Sequence, residues 1–188
     1  MRKKIGTICV LLGVICLLGA VGFVAYNQWE EKNASKNTQS LLEQIKNEIN
    51  QDTTQNNDLL ETELTEMQTM IGILSIPVLD LELPVQADWS YAKLKNAPCL
   101  YYGSCREKDF VIAAHNYEAH FGRLSELKAG DDIIFTDING TVYSYEVVLL
   151  ETLQKDATKE MIESGFDLSL YTCTPVGGSR VTVHCKST

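Results

Sequence analysis

The stretch that decides the fold is Leu168–Lys186, which reads LSLYTCTPVGGSRVTVHCK. Apolar and polar residues alternate in a short run at each of its ends, and this period of two is typical of β-strands with one buried face. The segment between the two runs contains a proline and the pair Gly177-Gly178, which suits a tight reversal of the chain. The sequence therefore predicts a β-hairpin that brings Cys173 and Arg180 to the same end of a sheet.

Cys173 has the surroundings of a nucleophile in this hairpin, because a fixed positive charge favours the thiolate form of a nearby cysteine. A second apolar run, Phe110–Tyr117 (FVIAAHNY), predicts a buried strand with His115 at its end. Histidine is the side chain best suited to exchange a proton near neutral pH. Cys173, His115 and Arg180 are therefore predicted as nucleophile, general acid/base and oxyanion stabiliser. The backbone N–H of Thr174 is a further candidate oxyanion donor.

These motifs and their order resemble the sortase family. The end of the cysteine strand, SLYTC, resembles the family's TLxTC motif, with Ser169 in place of the leading threonine. The run AAHNY resembles the family's histidine segment, and RVTVHCK resembles its last strand. The resemblance extends from about Met70 to Lys186 and does not assign a sortase class. It implies a mainly β fold, a closed eight-stranded barrel with short connecting helices.

The resemblance also implies an activity. A cysteine transpeptidase of this kind cleaves a C-terminal LPxTG-like sorting signal of a secreted protein through a thioester on Cys173. The acyl group then passes to an amine of the cell wall or of a pilin, in a Gram-positive bacterium. The sorting motif, the acceptor amine, calcium dependence and the oligomeric state stay open. No cofactor is expected.

Other side chains flank the motifs and are weighed for lesser roles. The predicted substrate contacts are Thr172, Thr174, Asn116 and Tyr117, and the last two are also candidates to orient the imidazole. No acidic residue is assigned as a third catalytic member. His120 is expected to face solvent, and His184 is an alternative general base.

The remaining cysteines of the predicted barrel are not needed for this chemistry. Cys185 is expected in the core, and a bond between Cys99 and Cys105 is left open. These three cysteines have no recognised zinc-site spacing, so no metal site is predicted. Two alternative functions are kept. One is another membrane-anchored Cys-His peptidase or wall transpeptidase. The other is a non-catalytic β-domain stabilised by a disulfide between Cys173 and Cys185.

The rest of the predicted barrel, residues 70–188, is divided by turn residues into short elements. The sequence predicts strands at Ile71–Ile76, Leu81–Val85, Leu100–Gly103, Phe110–Ala114, Asp132–Asp137, Thr141–Leu150, Leu168–Cys173 and Arg180–Lys186. It predicts short helical segments at Trp89–Lys95, Phe121–Leu127 and Thr158–Ser164. Asn139-Gly140 indicates a hairpin, because both residues tolerate a positive φ.

The N-terminal part has a different character. Residues 5–26 form an uncharged apolar run long enough to cross a bilayer, with three basic residues before it and two glutamates after it. This pattern predicts an uncleaved anchor within residues 1–29 with a cytoplasmic N-terminus; a cleaved signal peptide, with a shorter apolar region, is the competing interpretation. Residues 30–69 are polar and are predicted to form a stalk. Leu41, Leu42, Ile45 and Ile49 give it an amphipathic helical segment, with a dimer contact as the alternative role.

Composition agrees with one outward-facing domain plus accessory segments. The chain has 188 residues, is 45% hydrophobic and carries a net charge of −9. Binding of nucleic acid requires a basic surface, so the charge argues against a nucleic-acid partner. The expected partners are secreted proteins with a sorting signal, an acceptor amine and membrane lipid.

Overall fold

The computed structural model describes residues 2–51, 70–174 and 177–188, and the strands in the last two ranges close into a barrel. In chain order these strands are β1 (Met70–Ile76), β2 (Leu81–Gln86), β3 (Cys99–Tyr102), β4 (Phe110–Ala113), β5 (Asp132–Asp137), β6 (Val142–Gln154), β7 (Leu168–Cys173) and β8 (Ser179–Ser187). Their order around the barrel is β1-β2-β3-β4-β7-β8-β6-β5. The predicted eight-stranded barrel is confirmed.

Most neighbouring strands run antiparallel, and two pairs are parallel. β2 pairs in parallel with β3, and β4 pairs in parallel with β7. Parallel neighbours need a crossover connection. The crossover from β4 to β7 contains β5, β6 and a short helix. The consequence for the site is that the carboxyl ends of β4 and β7 meet at one rim.

Short helices lie on the connections, as expected. They are α2 (Tyr91–Leu94), α3 (Thr158–Ile162) and two 3₁₀ turns at Pro77–Leu79 and Leu124–Glu126. The hydroxyl of Ser90 caps α2 by accepting the backbone N–H of Lys93 at 3.1 Å. The first 3₁₀ turn was not predicted. It begins at Pro77 and is capped after Leu79 by Asp80, which adopts the left-handed conformation with φ 53°.

The barrel interior is filled by alternate side chains of its strands, as the period of two requires. Leu168 and Leu170 of β7 and Val183 and Cys185 of β8 are fully buried in this core. The intervening side chains of these strands face outward. The predicted Asn139-Gly140 turn is also confirmed. It joins β5 to β6, with Gly140 at φ 77°.

Helix α1 spans Arg2–Gln51, and the chain divides into two compact units within it. In the first unit, which ends at Asn33, the helix is a candidate membrane anchor. Among the described residues, α1 is the one helix that is long and apolar enough to cross a membrane. The mean hydropathy of its most apolar 18 residues is 1.8.

The second unit begins at Ala34 and includes the barrel. Its part of α1 is held against β1, where Ile45 packs with Met70 and Ile73 in a buried cluster. Leu41, Leu42 and Ile49 pack against the same cluster. The predicted amphipathic segment therefore has a partner within its own chain. Residues 52–69 of the predicted stalk lie outside the described residues, and the boundaries predicted at 29/30 and 69/70 stay predictions.

Candidate active site

Cys173 is the last residue of β7, and its side chain is exposed at the rim of the barrel. In the antiparallel register of β7 with β8, its direct partner is Arg180. The hairpin predicted from the sequence therefore forms with the expected register. It places thiol and guanidinium on neighbouring strands at one end of the sheet.

His115 reaches the same rim through the parallel pair of β4 and β7. Ala113 is the partner of Tyr171 in that pair. The register continues for one more residue, because the N–H of Ala114 donates to the Tyr171 carbonyl at 3.2 Å and the Thr172 hydroxyl donates to the Ala114 carbonyl at 2.9 Å. One further step, past the end of β4 at Ala113, predicts that His115 lies beside Cys173.

The register of the sheet, continued past Ala113 at the end of β4, predicts one transverse row, His115–Cys173–Arg180, for the three candidate catalytic residues. Cys173 and Arg180 lie on the outer face of the sheet, because Tyr171 and Thr182 are two residues away from them on that face, and the same alternation from Ala113 predicts this face for His115. Adjacent strands lie about 4.8 Å apart. The register therefore predicts that the three side chains share a single surface.

The imidazole of His115 is half-buried and held on two sides. Its Nδ1 lies 3.2 Å from Oδ1 of Asn116, and its ring stacks on Tyr117 with centroids 4.4 Å apart and planes 10° apart. A carboxamide oxygen only accepts hydrogen bonds, so Nδ1 carries a proton. Nε2 is then the nitrogen without this contact, and Asn116 stays the predicted orienting partner of the imidazole.

The loop that carries His115 is tightly folded on itself. The Phe121 N–H donates to the His115 carbonyl at 3.2 Å, and the Gly122 N–H donates to the Tyr117 carbonyl at 2.8 Å. A Cβ at Gly122 would lie 2.7 Å from the Asn116 carbonyl oxygen. Because that contact is with backbone rather than with a flexible side chain, only glycine fits, and the backbone next to His115 is fixed.

Arg180 is held by its surroundings in the same way. One of its terminal nitrogens donates to the carbonyl of Lys155, which precedes α3. The guanidinium also lies over the Tyr171 ring, 5.5 Å from its centroid, at cation–π distance. Burial raises the pKa of Tyr171, so this ring stays neutral. The arrangement fixes a positive charge at the rim beside Cys173.

Two of the predicted substrate contacts have other partners. Thr172 is 3% exposed, and its hydroxyl links β7 to β4. The N–H of Thr174 donates to the Ser179 carbonyl at 2.9 Å. The suggestion that this N–H is a free oxyanion donor is therefore wrong, since the turn already uses it. The roles of Thr172 and Thr174 as substrate contacts stay predictions.

An apolar surface lies on the outer face of the sheet below the transverse row. It is formed by the buried side chains Val111, Ala113, Met161 and Tyr171, with Leu94, Tyr101, Leu153 and Ile162 packed around them. Aromatic rings continue it, since Tyr101 lies 5.2 Å from Tyr171 and 5.9 Å from Trp89. The sequence signal for this arrangement is the alternation of side chains along each strand, which puts Tyr171 on the same face of β7 as Cys173. The same alternation along β3 puts Tyr101 on the outer face.

The other two histidines, His120 and His184, are not members of the transverse row. His184 lies opposite Ser169, four residues along each strand from Arg180 and Cys173, which corresponds to about 14 Å. Its nitrogens are bound by Ser169 Oγ at 2.8 Å and Glu151 Oε1 at 2.9 Å, and burial lowers its pKa. It is not placed to serve Cys173. The expectation that His120 faces solvent is wrong, because its side chain is fully buried.

The remaining cysteines of the barrel are free thiols. Burial raises the pKa of Cys99 to about 11 and that of Cys185 to about 12, so both stay protonated and unreactive. Cys185 lies five residues along β8 from the partner of Cys173, about 17 Å at the rise of a strand. A disulfide requires Cα atoms within about 7 Å, which excludes the Cys173–Cys185 bond of the non-catalytic alternative.

No three His, Cys, Asp or Glu side chains in the described part of the chain are grouped so as to hold a metal ion.

The sequence itself matches one family. The model of the family described as the sortase domain matches residues 74–188, which is more than half of the chain and includes all eight strands except the start of β1. No curated protein matches the sequence.

Three solved structures with the same fold are distant in sequence. A sortase D5 transpeptidase of Clostridium perfringens is 18% identical, with a TM-score of 0.63 over 81% of this chain and 99% of the other. Sortase A of Corynebacterium diphtheriae is 21% identical, with a TM-score of 0.58 over 87% and 95%. Sortase C of C. perfringens, with a C-terminal cell wall sorting motif, is 21% identical, with a TM-score of 0.57 over 89% and 98%. At these identities the likeness concerns the fold.

Proposed function

Because the chain belongs to the sortase family of cysteine transpeptidases, we propose that it cleaves a C-terminal LPxTG-like sorting signal through a thioester on Cys173. The released acyl group is transferred to an amine of the cell wall or of a pilin. The observation that supports this proposal is the strand register, which pairs Cys173 with Arg180 and, continued past the end of β4, predicts His115 beside them.

The first half of the reaction forms the thioester. The thiol of Cys173 gives its proton to Nε2 of His115, and the resulting thiolate attacks the scissile carbonyl carbon. A C–S bond forms, and the carbonyl electrons move to oxygen. The guanidinium of Arg180 donates hydrogen bonds to this oxyanion, a contribution typically worth about 3–4 kcal/mol when one donor is lost. His115 gives its Nε2 proton to the leaving amine as the C–N bond breaks.

The second half transfers the acyl group. An incoming amine attacks the thioester carbonyl, and the now neutral Nε2 of His115 takes the proton that the amine loses. Collapse of the tetrahedral intermediate breaks the C–S bond and restores the thiolate. The same imidazole acts as acid and then as base, and its Nδ1 contact with Asn116 keeps Nε2 directed to the reaction in both steps.

The apolar surface below the row supports an apolar peptide as substrate. The leucine and proline of an LPxTG-like signal are apolar and lie on the N-terminal side of the scissile bond. Ala113, Tyr171 and Ile162 form an apolar cluster on the same outer face as Cys173, and apolar side chains of a peptide would suit it. Sortase C of C. perfringens has been solved with a C-terminal sorting motif, and sortase C of Streptococcus pneumoniae has been described in terms of pilin substrate specificity. Both support a protein substrate for this chain.

The proposed location is the cell membrane. The apolar part of α1 spans the bilayer, its basic N-terminal residues stay in the cytoplasm, and the barrel faces outward. This arrangement puts Cys173 where secreted proteins emerge.

The test is a peptide panel with the full chain in detergent micelles. Peptides with LPxTG-like variants are incubated with a range of amines, and mass spectrometry detects the acyl-enzyme and the products. We predict an acyl mass on Cys173 and its absence in Cys173→Ala. His115→Ala is expected to lose transfer, and Arg180→Ala to lower kcat by about 10²–10³-fold.

Hydrolysis of the peptides without transfer to any amine would instead assign the chain to the Cys-His peptidases. Full transfer activity in Cys173→Ala would refute the mechanism.

A further inference from the structure

Thr38, on the part of α1 that belongs to the barrel unit, makes a buried contact with the histidine loop. Its side chain is 4% exposed, and its Oγ1 lies 2.7 Å from Nε2 of the fully buried His120. The same oxygen lies 2.6 Å from the Asn96 carbonyl and 2.9 Å from the Ala34 carbonyl. A threonine far from the transverse row in sequence is thus joined to the loop that carries His115.

These distances fix the direction of the hydrogen bond. The Thr38 hydroxyl has one proton, and its two neighbouring carbonyls can only accept it. Oγ1 must therefore accept from His120, so Nε2 of His120 carries a proton. Burial, and then the nearby charge of His115, lower the pKa of His120 to about 4, so its ring is neutral. Its Nδ1 is buried without a hydrogen-bond partner among the described residues, which leaves Thr38 as the contact that orients the ring.

Tyr117 connects this ring to His115. Its aromatic ring stacks on His115 at 4.4 Å and meets His120 at 5.4 Å with the planes tilted by 58°. The order Thr38, His120, Tyr117, His115 is therefore continuous, with a hydrogen bond followed by two ring contacts. A shift of His120 removes the support behind Tyr117, and the imidazole of His115 rests on Tyr117.

We propose that Thr38 and His120 are positioning residues for the reaction, so that the docked part of α1 belongs to the machinery of the enzyme. They touch neither substrate nor thiol, and they act by holding the imidazole of His115 at a fixed angle. The inference rests on the proposed role of His115 as general acid/base. Misplacement of a reacting group by about 1 Å can cost about 10²-fold in rate, so small movements of this ring matter.

The experiment removes the contacts between Thr38, His120 and Tyr117 by substitution at two positions, in the full-length chain. Thr38→Val removes the acceptor and keeps the shape, whereas His120→Gln keeps a donor for Thr38 and removes the ring behind Tyr117. Each is expected to lower kcat by about 10-fold or more with little change in KM for the sorting peptide. Thr38→Ser restores the hydroxyl and is expected to restore kcat.

The matched control is Lys46→Gln, which removes the contact of α1 with Glu82 but leaves Thr38 in place, and kcat should stay within about twofold.

A second readout does not depend on turnover. Nitrogen NMR of the imidazoles reports whether His115 holds one tautomer, with its proton on Nδ1. We expect distinct Nδ1 and Nε2 signals in the wild type and in Thr38→Ser, and signals moved toward their average in Thr38→Val and His120→Gln. If the wild type transfers nothing to any amine, the proposed function fails, and this spectrum still decides whether His115 is positioned in this way.

Three results would overturn the inference. One is a wild-type kcat and an unchanged His115 spectrum in folded Thr38→Val. Another is an equal loss in Lys46→Gln, since general undocking of α1 would then explain the effect. The last is a failure of Thr38→Ser to recover activity. If Thr38→Val does not fold, wild-type behaviour of His120→Gln refutes the inference by itself.

Discussion

At the scale of single residues, the three histidines of the chain occupy three different environments. His115 lies half-buried at the rim, where a proton can be exchanged with a reacting group. His120 is buried against Thr38, and His184 is buried between Ser169 and Glu151. Burial lowers the pKa of both inner histidines. The same side chain is therefore a candidate catalyst at one position and a neutral structural group at the other two.

The neutral state of His120 predicts a dependence of stability on pH. Its pKa is about 4 in the folded chain, and about 6.5 is expected in the unfolded chain. Between these values the unfolded state binds a proton that the folded state does not. The free energy of unfolding therefore falls as pH is lowered from about 6.5 toward about 4, by about 3 kcal/mol at most. We predict a lower Tm at about pH 4.5 than at about pH 7, measured by circular dichroism.

His120→Gln is the comparison that isolates this effect. The variant lacks the titrating group, so its Tm should fall less between the two pH values than that of the wild type. His184 and the carboxylates titrate in both proteins and cancel in the difference. Identical pH profiles would show that His120 does not contribute.

Single residues also show where sequence reasoning stops. Cys173, His115 and Arg180 are predicted as catalytic residues because each ends or begins a run with a clear period, and the motifs set their order. His120 was assigned wrongly to the surface, because its burial depends on Thr38, which is 82 residues away in the chain. The local sequence around His120 contains no information about that contact.

At the scale of elements, the bounds of the strands were predicted better than the segments against which each element pairs or packs. The bounds of β5 and β7 agree with the sequence, since alternation and turn residues are local signals. β6 extends four residues past its predicted end, to Gln154, because pairing with β8 continues to Ser179. The apolar stripe of α1 was recognised from its spacing, but a helical period alone does not identify the surface that the stripe packs against. In the structure that surface is β1.

The docked part of α1 is expected to contribute to stability. Ile45 is 1% exposed in the cluster with Met70 and Ile73, and truncation of a buried isoleucine to alanine costs about 2–5 kcal/mol. We predict that Ile45→Ala lowers the free energy of unfolding by about 2 kcal/mol or more. Urea denaturation of the full chain in detergent measures this change.

Gln39→Ala is the matched control on the same helix. Its side chain is exposed, so the variant should stay within about 0.5 kcal/mol of the wild type. A similar value for Ile45→Ala would mean that the contact between α1 and β1 adds nothing to stability.

At the scale of the whole molecule, the chain combines an apolar helical segment with a sortase barrel. The helical segment is fully exposed over its most apolar 18 residues, which suits a lipid environment. The net charge of −9 suits a water-soluble surface for the rest. Composition and hydropathy predicted this division. Composition and hydropathy do not show that the C-terminal part of α1, from Ala34, belongs to the barrel unit, because that depends on packing.

The proposed topology predicts which thiols a membrane-impermeant reagent reaches. Cys173 is exposed at the rim and should be labelled in intact cells, whereas Cys16, within the apolar run, should not. Mass spectrometry of the labelled chain identifies the modified residue, and Cys173→Ala should remove the label at position 173 but not any label on the partly exposed Cys105. The full chain should also sediment with membranes until detergent is added.

Labelling of Cys173 only after cell lysis would contradict the outward-facing barrel. Recovery of a shortened chain from the medium would indicate a cleaved leader instead.

The parallel contact of β4 with β7 joins residues 58 positions apart, and β8 adds Arg180 only at the end of the chain. An unfinished or unfolded polypeptide therefore contains the sulfhydryl without its companions, and it behaves as any other cysteine would. In the proposed mechanism, reactivity begins in one step, when β8 closes the ring. Completion of the barrel is then itself the activating event.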